Sequence, residues 1–268
     1  MQPPRAKKRL GQNFLQDTDI ARQIALQTVA DLDPSIPIVE VGGGRGALTC
    51  HLLALPHTLR VIEFDNACFD FLQTHFPALK GAIIQADFLK LNLQTLFPNQ
   101  PFAVIGNYPY NISSQIVIKI IQNKDSIPLF AGMFQEEVAR RLASPPAGRT
   151  RGILSVLLQA WYDAEYLFIV PPTAFVPQPK VQSGVVRFTR NSRTALGCDE
   201  NLFVQIIKTT FNQRRKMLRH TLRPLLPQTP SAALFLQSPR LTRRPEQLNV
   251  DEFIELTNQV VTLRTTND

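Results

Sequence analysis

Short apolar runs alternate with amphipathic segments along the first half of the chain. Four of the runs have the length and composition of buried strands, at 36–41, 59–65, 81–86 and 102–106. The segments between them repeat apolar residues at helical spacing, which predicts a parallel sheet with helices on its faces to about residue 125. Runs at 166–170 and 184–188 predict an antiparallel edge pair, and the prolines between them predict a stiff loop.

The pattern changes at about 191–198, where strand-like runs give way to helical spacing. Apolar residues on one face and basic residues on another predict an amphipathic basic helix over 203–223. A closing helix is predicted over 251–263. We therefore expect three parts: a flexible basic tail at 1–10, an α/β domain at 11–190 and a small helical domain at 195–268.

The composition is that of a globular protein with a sizeable core. The chain has 268 residues, of which 44% are hydrophobic. Its three cysteines are scattered and odd in number, which indicates a reducing compartment, and they form no metal-ligand spacing with the four histidines. No apolar run approaches 18 residues, and the N-terminus lacks the apolar core of a secretory signal. We expect a cytoplasmic monomer without a metal or a membrane span.

Basic charge is concentrated at the two ends of the chain. The net charge is +8, and residues 187–268 hold 13 Lys/Arg against 7 Asp/Glu. A nucleic-acid partner is favoured, because phosphate contacts dominate such binding, although a solubilising surface has the same composition. The candidate RNA-binding residues are Arg5, Lys7, Lys8, Arg9, Arg214, Arg215, Lys216, Arg219 and Arg223.

A glycine-rich turn follows the first predicted strand. Gly42 and Gly44 allow a tight turn and a close approach of the backbone to a ligand. The spacing is Gly-x-Gly-x-Gly, which differs from the dinucleotide fingerprint and disfavours a nicotinamide dehydrogenase. Glu40 precedes the turn and suits a ligand with positive charge, such as S-adenosylmethionine with its ammonium and sulfonium groups.

Acidic residues end the next two predicted strands. Glu63 lies roughly 20 residues past the glycines, where an acid binds ribose hydroxyls in doubly wound nucleotide sites. Asp87 ends the third strand and is placed to accept a hydrogen bond from an adenine amino group, while Phe88 covers the ring. Because ligands bind at the carboxyl ends of parallel strands, these groups are expected to share one site.

The fourth strand ends in Asn107-Tyr108-Pro109-Tyr110. Methylation of an exocyclic base amine needs acceptors for its N–H bonds, and the Asn107 side chain and the Tyr108 carbonyl are two such acceptors. Pro109 restricts Tyr108 to an extended conformation, and Tyr110 offers a face on which a flipped base stacks. An ordinary strand-end turn has the same composition. Phe175, in the proline-rich loop, is either a second stacking surface or a packing anchor.

Six segments together resemble one family, the ribosomal RNA adenine N6,N6-dimethyltransferases, and most closely the bacterial small-subunit enzymes. The segments occur in order along nearly the whole chain, at 8–15, 40–49, 107–113, 135–142, 175–181 and 213–219. The resemblance implies a Rossmann-like class I methyltransferase fold with a helical C-terminal domain. It implies dimethylation of two adjacent adenosines in the 3′-terminal hairpin loop of small-subunit (16S) ribosomal RNA, on an immature 30S subunit during ribosome biogenesis.

The resemblance also implies roles for individual residues. S-adenosylmethionine, which is converted to S-adenosylhomocysteine, would be held by Asn13, Leu15, Gly42, Gly44, Glu63, Asp87 and Asn107. Catalysis would rest on Asn107, Tyr108, Pro109, Tyr110 and Phe175. Three positions depart from the family pattern: Tyr108 replaces leucine or isoleucine, Gly43 replaces proline, and Arg151 stands where an aromatic residue is common. The larger ring of Tyr108 is expected to reshape the pocket.

Two alternatives remain open at the level of sequence. A related enzyme methylates one adenosine of large-subunit RNA and confers macrolide resistance, and its catalytic core would look alike. The run at 213–219 and the length of the C-terminal part favour the small-subunit enzyme. The other alternative is a non-catalytic RNA-binding assembly or transcription factor on the same fold, against which the intact Asn107, Tyr110, Glu63 and Asp87 argue.

Overall fold

The computed structural model describes residues 2–265, and its centre is a seven-stranded sheet in the order β4-β3-β2-β5-β6-β9-β7. Strands β2 to β6 are parallel, whereas β9 runs antiparallel to both β6 and β7. A separate antiparallel pair joins β1 to β8. The strands are β1 Phe14–Leu15, β2 Ile38–Val41, β3 Leu59–Glu63, β4 Ile83–Gln85, β5 Ala103–Asn107, β6 Leu129–Gln135, β7 Tyr162–Val170, β8 Phe175–Val176 and β9 Ser183–Arg190.

Helices connect and cover these strands, as the spacing of apolar residues predicts. Aspartate side chains cap the N-termini of several helices. The Asp17 side chain accepts a hydrogen bond from the Ile20 amide at the start of α1, and Asp65 caps α3 in the same way. The α-helices are α1 Thr18–Thr28, α2 Thr49–Leu53, α3 Asn66–His75, α4 Ser113–Gln122, α5 Glu136–Leu142, α6 Ile153–Gln159, α7 Glu200–Phe211, α8 Leu218–Thr221, α9 Pro230–Leu236 and α10 Val250–Thr265.

The predicted α/β class is confirmed, and so is the antiparallel edge pair. The central strands β2, β5 and β6 are buried along almost their whole length, because helices cover both faces of a parallel sheet. The polar residues at the ends of these strands are therefore held on a rigid frame. None of the helices within residues 2–265 has the length and apolar character needed to cross a membrane.

The chain divides into two compact units, residues 2–143 with 162–190 and residues 144–161 with 191–265. The division differs from the predicted boundary at 190–195, because the segment containing α6 belongs to the second unit. Hydrogen bonds explain this placement: the Ala147 amide donates to the Glu246 carbonyl at 2.8 Å, and Arg214 donates to the Arg149 carbonyl at 2.6 Å.

The long basic helix predicted over 203–223 is wrong in its extent. Helix α7 ends at Phe211, a turn follows, and α8 begins only at Leu218. Met217 is extended, with ψ at 151°, and the Leu218 amide donates to the Arg243 carbonyl at 2.9 Å. This tertiary hydrogen bond takes the place of a helical one, so the basic run lies mostly on a turn.

Arg151, which departs from the family pattern, is buried in the second unit with 1% of its surface exposed. Its guanidinium donates to the Ser144 carbonyl at 2.9 Å and to the Gln159 side chain at 2.7 Å. Burial lowers its pKa to about 10. The arginine thus joins the start of this inserted segment to the end of α6, which is a packing role.

Candidate active site

A cavity of about 230 Å³ lies at the carboxyl ends of β2, β3, β4 and β5. Strand order reverses between β2 and β5, which is where doubly wound sheets bind ligands. The structure thus brings together groups from four strand ends and from the N-terminal segment. The predicted residues that line the cavity are Asn13, Gly42, Gly44, Glu63, Asp87, Asn107, Tyr108, Pro109 and Tyr110.

The glycine turn forms one wall of the cavity. Gly42 and Gly44 have φ values of 80° and 56°, in the left-handed region that favours glycine. A Cβ atom on Gly44 would lie 3.1 Å from the Phe14 ring, so a side chain there would press on the N-terminal segment. Gly43 has no room either, since its Cβ would meet Val61 at 2.7 Å. The turn is therefore closely packed at Gly43, where the family pattern has proline.

Glu63 ties the end of β3 to the glycine turn. Its two carboxylate oxygens accept hydrogen bonds from the Gly44 amide at 2.9 Å and from the Asp65 amide at 2.7 Å. The side chain is 5% exposed, and burial raises the pKa of its carboxyl group. Each oxygen keeps a second lone pair, so the carboxylate can accept two further hydrogen bonds from a pair of ribose hydroxyls.

The loop after β4 forms another wall of the cavity. Asp87 accepts a hydrogen bond from the Leu89 amide at 3.0 Å, and Phe88 is buried beside it. The Lys119 ammonium, on α4, donates to the Leu89 carbonyl at 2.8 Å and to the Leu91 carbonyl at 2.7 Å, which fixes the loop. Sequence reasoning missed Lys119, because nothing in the helical pattern shows that its side chain reaches a loop about thirty positions upstream.

Phe64 is a second residue that sequence reasoning missed. It follows Glu63, lines the cavity and is 55% exposed, which is unusual for a large aromatic side chain. The sequence placed it within the strand run at 59–65 and gave it no role. An exposed aromatic ring beside an acid that faces a cavity is placed to cover a planar ligand group.

The N-terminal segment, expected to be a flexible tail, has defined contacts with the cavity wall. The Arg45 guanidinium donates to the Pro4 carbonyl at 3.0 and 2.8 Å and lies over the Phe14 ring. Lys7 pairs with the buried Asp65 at 2.6 Å. Residues 10–14 then line the cavity. Lys7 is held by this ion pair, whereas the other predicted basic contacts of the segment, Arg5, Lys8 and Arg9, are exposed.

Asn107 lies at the end of β5 with a fixed amide orientation. Its Nδ2 donates to the Asn13 carbonyl at 3.1 Å. The side-chain oxygen is therefore turned away from Asn13, and within residues 2–265 it forms no hydrogen bond. An acceptor that is oriented and still available at a cavity wall is what an amine substrate requires.

Tyr108 points its ring into the sheet, so the expected reshaping of the pocket by this ring is wrong. The side chain is 1% exposed, and its hydroxyl donates to the Ala131 carbonyl at 2.7 Å. Gly106 and Gly132 make room for the ring, because a Cβ on either would lie 2.8 Å from it. The main chain of Tyr108 lines the cavity and is held through its amide, which donates to the Met133 carbonyl at 3.2 Å.

Tyr110 and Phe175 have different environments. Tyr110 is half-buried at the cavity, and its hydroxyl lies 2.7 Å from Ser183 Oγ. Phe175 is fully buried in the hydrophobic core, because β8 pairs with β1 and places it opposite Leu15. Its predicted role as a stacking surface therefore disagrees with the structure, and the packing alternative is correct. Leu15 also lies in the core, behind the cavity wall.

Glu40 is buried beneath the glycine turn, 1% exposed, and is not among the side chains that line the cavity. Within the described residues its Oε2 has no hydrogen-bond partner. Burial, with a smaller contribution from the nearby Glu63 carboxylate, raises its pKa to about 7. A carboxyl group with this pKa is about half protonated at neutral pH, and it does not reach the cavity as a direct ligand of a cation would.

This raised pKa predicts a dependence of stability on pH. The folded state holds the Glu40 proton to about pH 7, whereas the unfolded state releases it near 4.5. Because the folded state then binds more protons, this group lowers the free energy of unfolding as pH rises through that window, by about 3 kcal/mol. Glu40→Gln should remove this loss, so its melting temperature relative to wild type should rise between pH 5 and pH 8.

Glu137→Gln, at an exposed position on α5, is the control for that measurement. Its melting temperature relative to wild type should not change between the two pH values. A Glu40→Gln variant that behaves like this control would show that Glu40 is ionised in the folded protein.

Comparison with known proteins identifies the family. A family model described as "Ribosomal RNA adenine dimethylase" matches residues 4–239. The chain belongs to this family. Ribosomal RNA small subunit methyltransferase A from Parabacteroides distasonis is 55% identical over 252 residues, covering 94% of this chain and 92% of that protein. The protein of the same name from Bacteroides thetaiotaomicron is 52% identical over 258 residues, covering 95% and 93%.

Solved structures agree on the fold. A dimethyladenosine transferase from Plasmodium falciparum has a TM-score of 0.75 at 19% identity, covering 94% of this chain and 98% of that one. The 23S rRNA methyltransferase ErmE has a TM-score of 0.67 at 24% identity, covering 92% and 100%. The fold is thus the Rossmann-like fold of class I S-adenosylmethionine-dependent methyltransferases, and this ribosomal RNA adenine dimethylase is an enzyme of that class.

Proposed function

We propose that this protein dimethylates the N6 amines of two adjacent adenosines in the 3′-terminal hairpin loop of 16S ribosomal RNA, with S-adenosylmethionine as methyl donor. The observation that carries the proposal is the pair of acceptors at the end of β5, the Asn107 side chain and the Tyr108 carbonyl, beside a cavity walled by Glu63 and the glycine turn. Relatives about half identical over nearly the whole chain are named small-subunit methyltransferases, which supports this substrate.

The cavity residues fit the cofactor. Glu63 suits the ribose hydroxyls, and Asp87 suits the adenine amino group, since each offers a carboxylate oxygen at the cavity. The glycine turn leaves space that a side chain at Gly44 would fill. When bound, S-adenosylmethionine supplies a methyl group made electrophilic by the adjacent sulfonium. Residues 10–14 line the same cavity beside the glycine turn.

The protein's contribution to the reaction is to orient and activate the amine. The nitrogen lone pair of adenine N6 is delocalised into the ring, so the free amine is a poor nucleophile. Asn107 Oδ1 and the Tyr108 carbonyl each accept one N–H bond and draw the nitrogen toward a tetrahedral geometry. Tyr110 stacks on the base. The methylated nitrogen is strongly acidic and loses its proton to water, so positioning and electrostatics supply most of the acceleration.

We propose that this protein acts as a monomer in the cytoplasm and that its partner is an immature 30S subunit. Exposed basic residues supply the phosphate contacts expected of such a partner. Arg214, Arg215 and Lys216 are exposed on the turn after α7, and Arg223 is exposed after α8. Arg219 is half-buried, and its Nε atom is buried without a partner in the described structure. Arg219 is therefore less suited to phosphate contact than its neighbours.

Reversing the charge of Arg215 and Lys216 to glutamate should weaken binding to small ribosomal subunits. Losing two phosphate contacts should lower the affinity by about 10- to 100-fold at moderate salt and reduce the slope of log affinity against log salt by about 2. Affinity is measured at several salt concentrations. Glu165→Gln, an exposed change in the other unit, is the control. An unchanged salt slope in the double variant would exclude this turn as a contact.

Locating the methyl groups tests the proposed function. Small subunits lacking the modification are treated with enzyme and S-adenosylmethionine, and ribonuclease fragments of the RNA are weighed by mass spectrometry. We expect four added methyl groups, all on one fragment from the 3′-terminal hairpin. Methyl groups on another fragment would contradict the proposed site.

A further inference from the structure

The Tyr110 hydroxyl forms a hydrogen bond across 73 positions of sequence. It lies 2.7 Å from the hydroxyl oxygen of Ser183, the first residue of β9. Ser183 is fully buried and is paired with Gln135 on β6 and with Val170 on β7. A residue inside the sheet with neighbours on both sides is held rigidly. Ser183 therefore offers Tyr110 a fixed point.

Tyr110 is fixed at both ends. Its backbone follows Pro109, whose φ is −58°, and begins a short 3₁₀ helix over Tyr110–Ile112. The tip of its ring is held by Ser183, and the half-buried ring lines the cavity between these two points. Burial raises the pKa of the Tyr110 hydroxyl, so the hydroxyl keeps its proton at neutral pH and the hydrogen bond persists.

The orientation of this ring decides where a stacked base lies. Stacking fixes the plane of the base but leaves it free to slide and turn over a ring that itself moves. The amine must reach the Asn107 and Tyr108 acceptors at once, and a displacement of about 1 Å can cost about 100-fold in rate. A hydrogen bond at the tip of the Tyr110 ring restrains the swing of that ring about the Cα–Cβ bond and so fixes its position and tilt.

We propose that Ser183 is a positioning residue for methyl transfer, which holds the Tyr110 ring so that the target adenine presents its N6 amine to the acceptors of residues 107 and 108. This inference rests on the proposed function. The positioning by Ser183 should matter most for the transfer of the second methyl group to each adenosine. The monomethylated amine keeps one N–H bond, so only one acceptor still orients it, and placement depends more on the stacked ring.

Ser183→Ala and Tyr110→Phe remove the two ends of the same hydrogen bond and keep the aromatic face. Each should lower kcat by about tenfold, which corresponds to one hydrogen bond, with KM for S-adenosylmethionine within about twofold of wild type. Monomethyladenosine should accumulate as a product. Because both variants remove one interaction, the double variant should be no slower than either single one.

Tyr162→Phe is the matched control. Its hydroxyl is also buried and donates to the Ile127 carbonyl at 2.9 Å, but Tyr162 begins β7 at the edge of the sheet opposite the cavity. It should leave kcat and the product ratio unchanged. Melting temperatures and cofactor dissociation constants of all variants show whether each has folded, and if Ser183→Ala has not folded, Tyr110→Phe alone decides.

The outcomes separate this inference from the proposed function. A wild-type enzyme that transfers no methyl groups to small subunits overturns the proposed function, and this inference with it. An active wild type with unchanged kcat and product ratio in Tyr110→Phe and in folded Ser183→Ala overturns the inference alone. Additive losses in the double variant would also overturn it, because they would show that the two hydroxyls act independently. An equal loss in Tyr162→Phe would overturn it as well, because it would assign the effect to stability.

Discussion

Asn107→Ala should lower kcat for methyl transfer by about 10²- to 10³-fold, the usual cost of removing one preorganised polar group that stabilises a transition state. The structure supports this magnitude, because the Nδ2 bond to the Asn13 carbonyl holds the amide in one orientation with its oxygen available at the cavity. Alanine removes the acceptor and its anchor together. Cofactor affinity should survive in part, since Glu63 and Asp87 are untouched.

Single-turnover transfer of labelled methyl groups measures the rate, and calorimetry with S-adenosylhomocysteine measures cofactor affinity. Asn123→Ala is the control, because it removes an amide that also donates to a carbonyl, that of Lys119, at the end of α4. It should leave both quantities unchanged. An Asn107→Ala enzyme with wild-type turnover would show that its side chain is not an acceptor for the amine.

Glu63→Ala should raise the dissociation constant for S-adenosylhomocysteine by about 100-fold or more. Two hydrogen bonds from ribose hydroxyls to a buried carboxylate contribute about 1.5–3 kcal/mol each. The variant also loses the bonds from the Gly44 and Asp65 amides, which hold the glycine turn against β3. Both losses act on the cofactor site, so binding should suffer more than stability.

Titration calorimetry gives the dissociation constant, and thermal unfolding without ligand gives the stability. Glu137→Ala, an exposed change on α5, is the control and should match wild type in both. Tight binding by a folded Glu63→Ala variant would mean that the ribose lies elsewhere in the cavity.

The sequence predicted several of the residues that line the cavity, because these residues lie where strands end. Glu63, Asp87 and Asn107 follow apolar runs, and the parallel arrangement that those runs predict brings their ends to one edge of the sheet. The apolar runs and the order of the elements along the chain were sufficient to predict that these three side chains lie together. The glycine turn could also be predicted, because its positive φ values depend on residues that are adjacent in sequence.

Features that depend on contacts between residues far apart in the chain could not be predicted from the sequence. Phe175 lies in a proline-rich stretch that is typical of an exposed loop, and only its pairing with Leu15 places it in the core. The N-terminal segment has no apolar period, yet Arg45 and Asp65 hold it at the cavity through a carbonyl and an ion pair. Helical spacing likewise continued past Phe211, where the chain instead forms a turn, and a tertiary hydrogen bond from the Leu218 amide to the Arg243 carbonyl holds the chain that follows.

The measurement that tests the central claim most directly is methyl transfer from labelled S-adenosylmethionine to unmodified small and large ribosomal subunits in parallel, followed by nucleoside analysis. We predict N6,N6-dimethyladenosine in the small subunit alone, with Asn107→Ala as the inactive control. Label in the large-subunit RNA would contradict the account, because it would show a different substrate. RNA binding without any methyl transfer would also contradict it, because it would show that the protein binds RNA without catalysis.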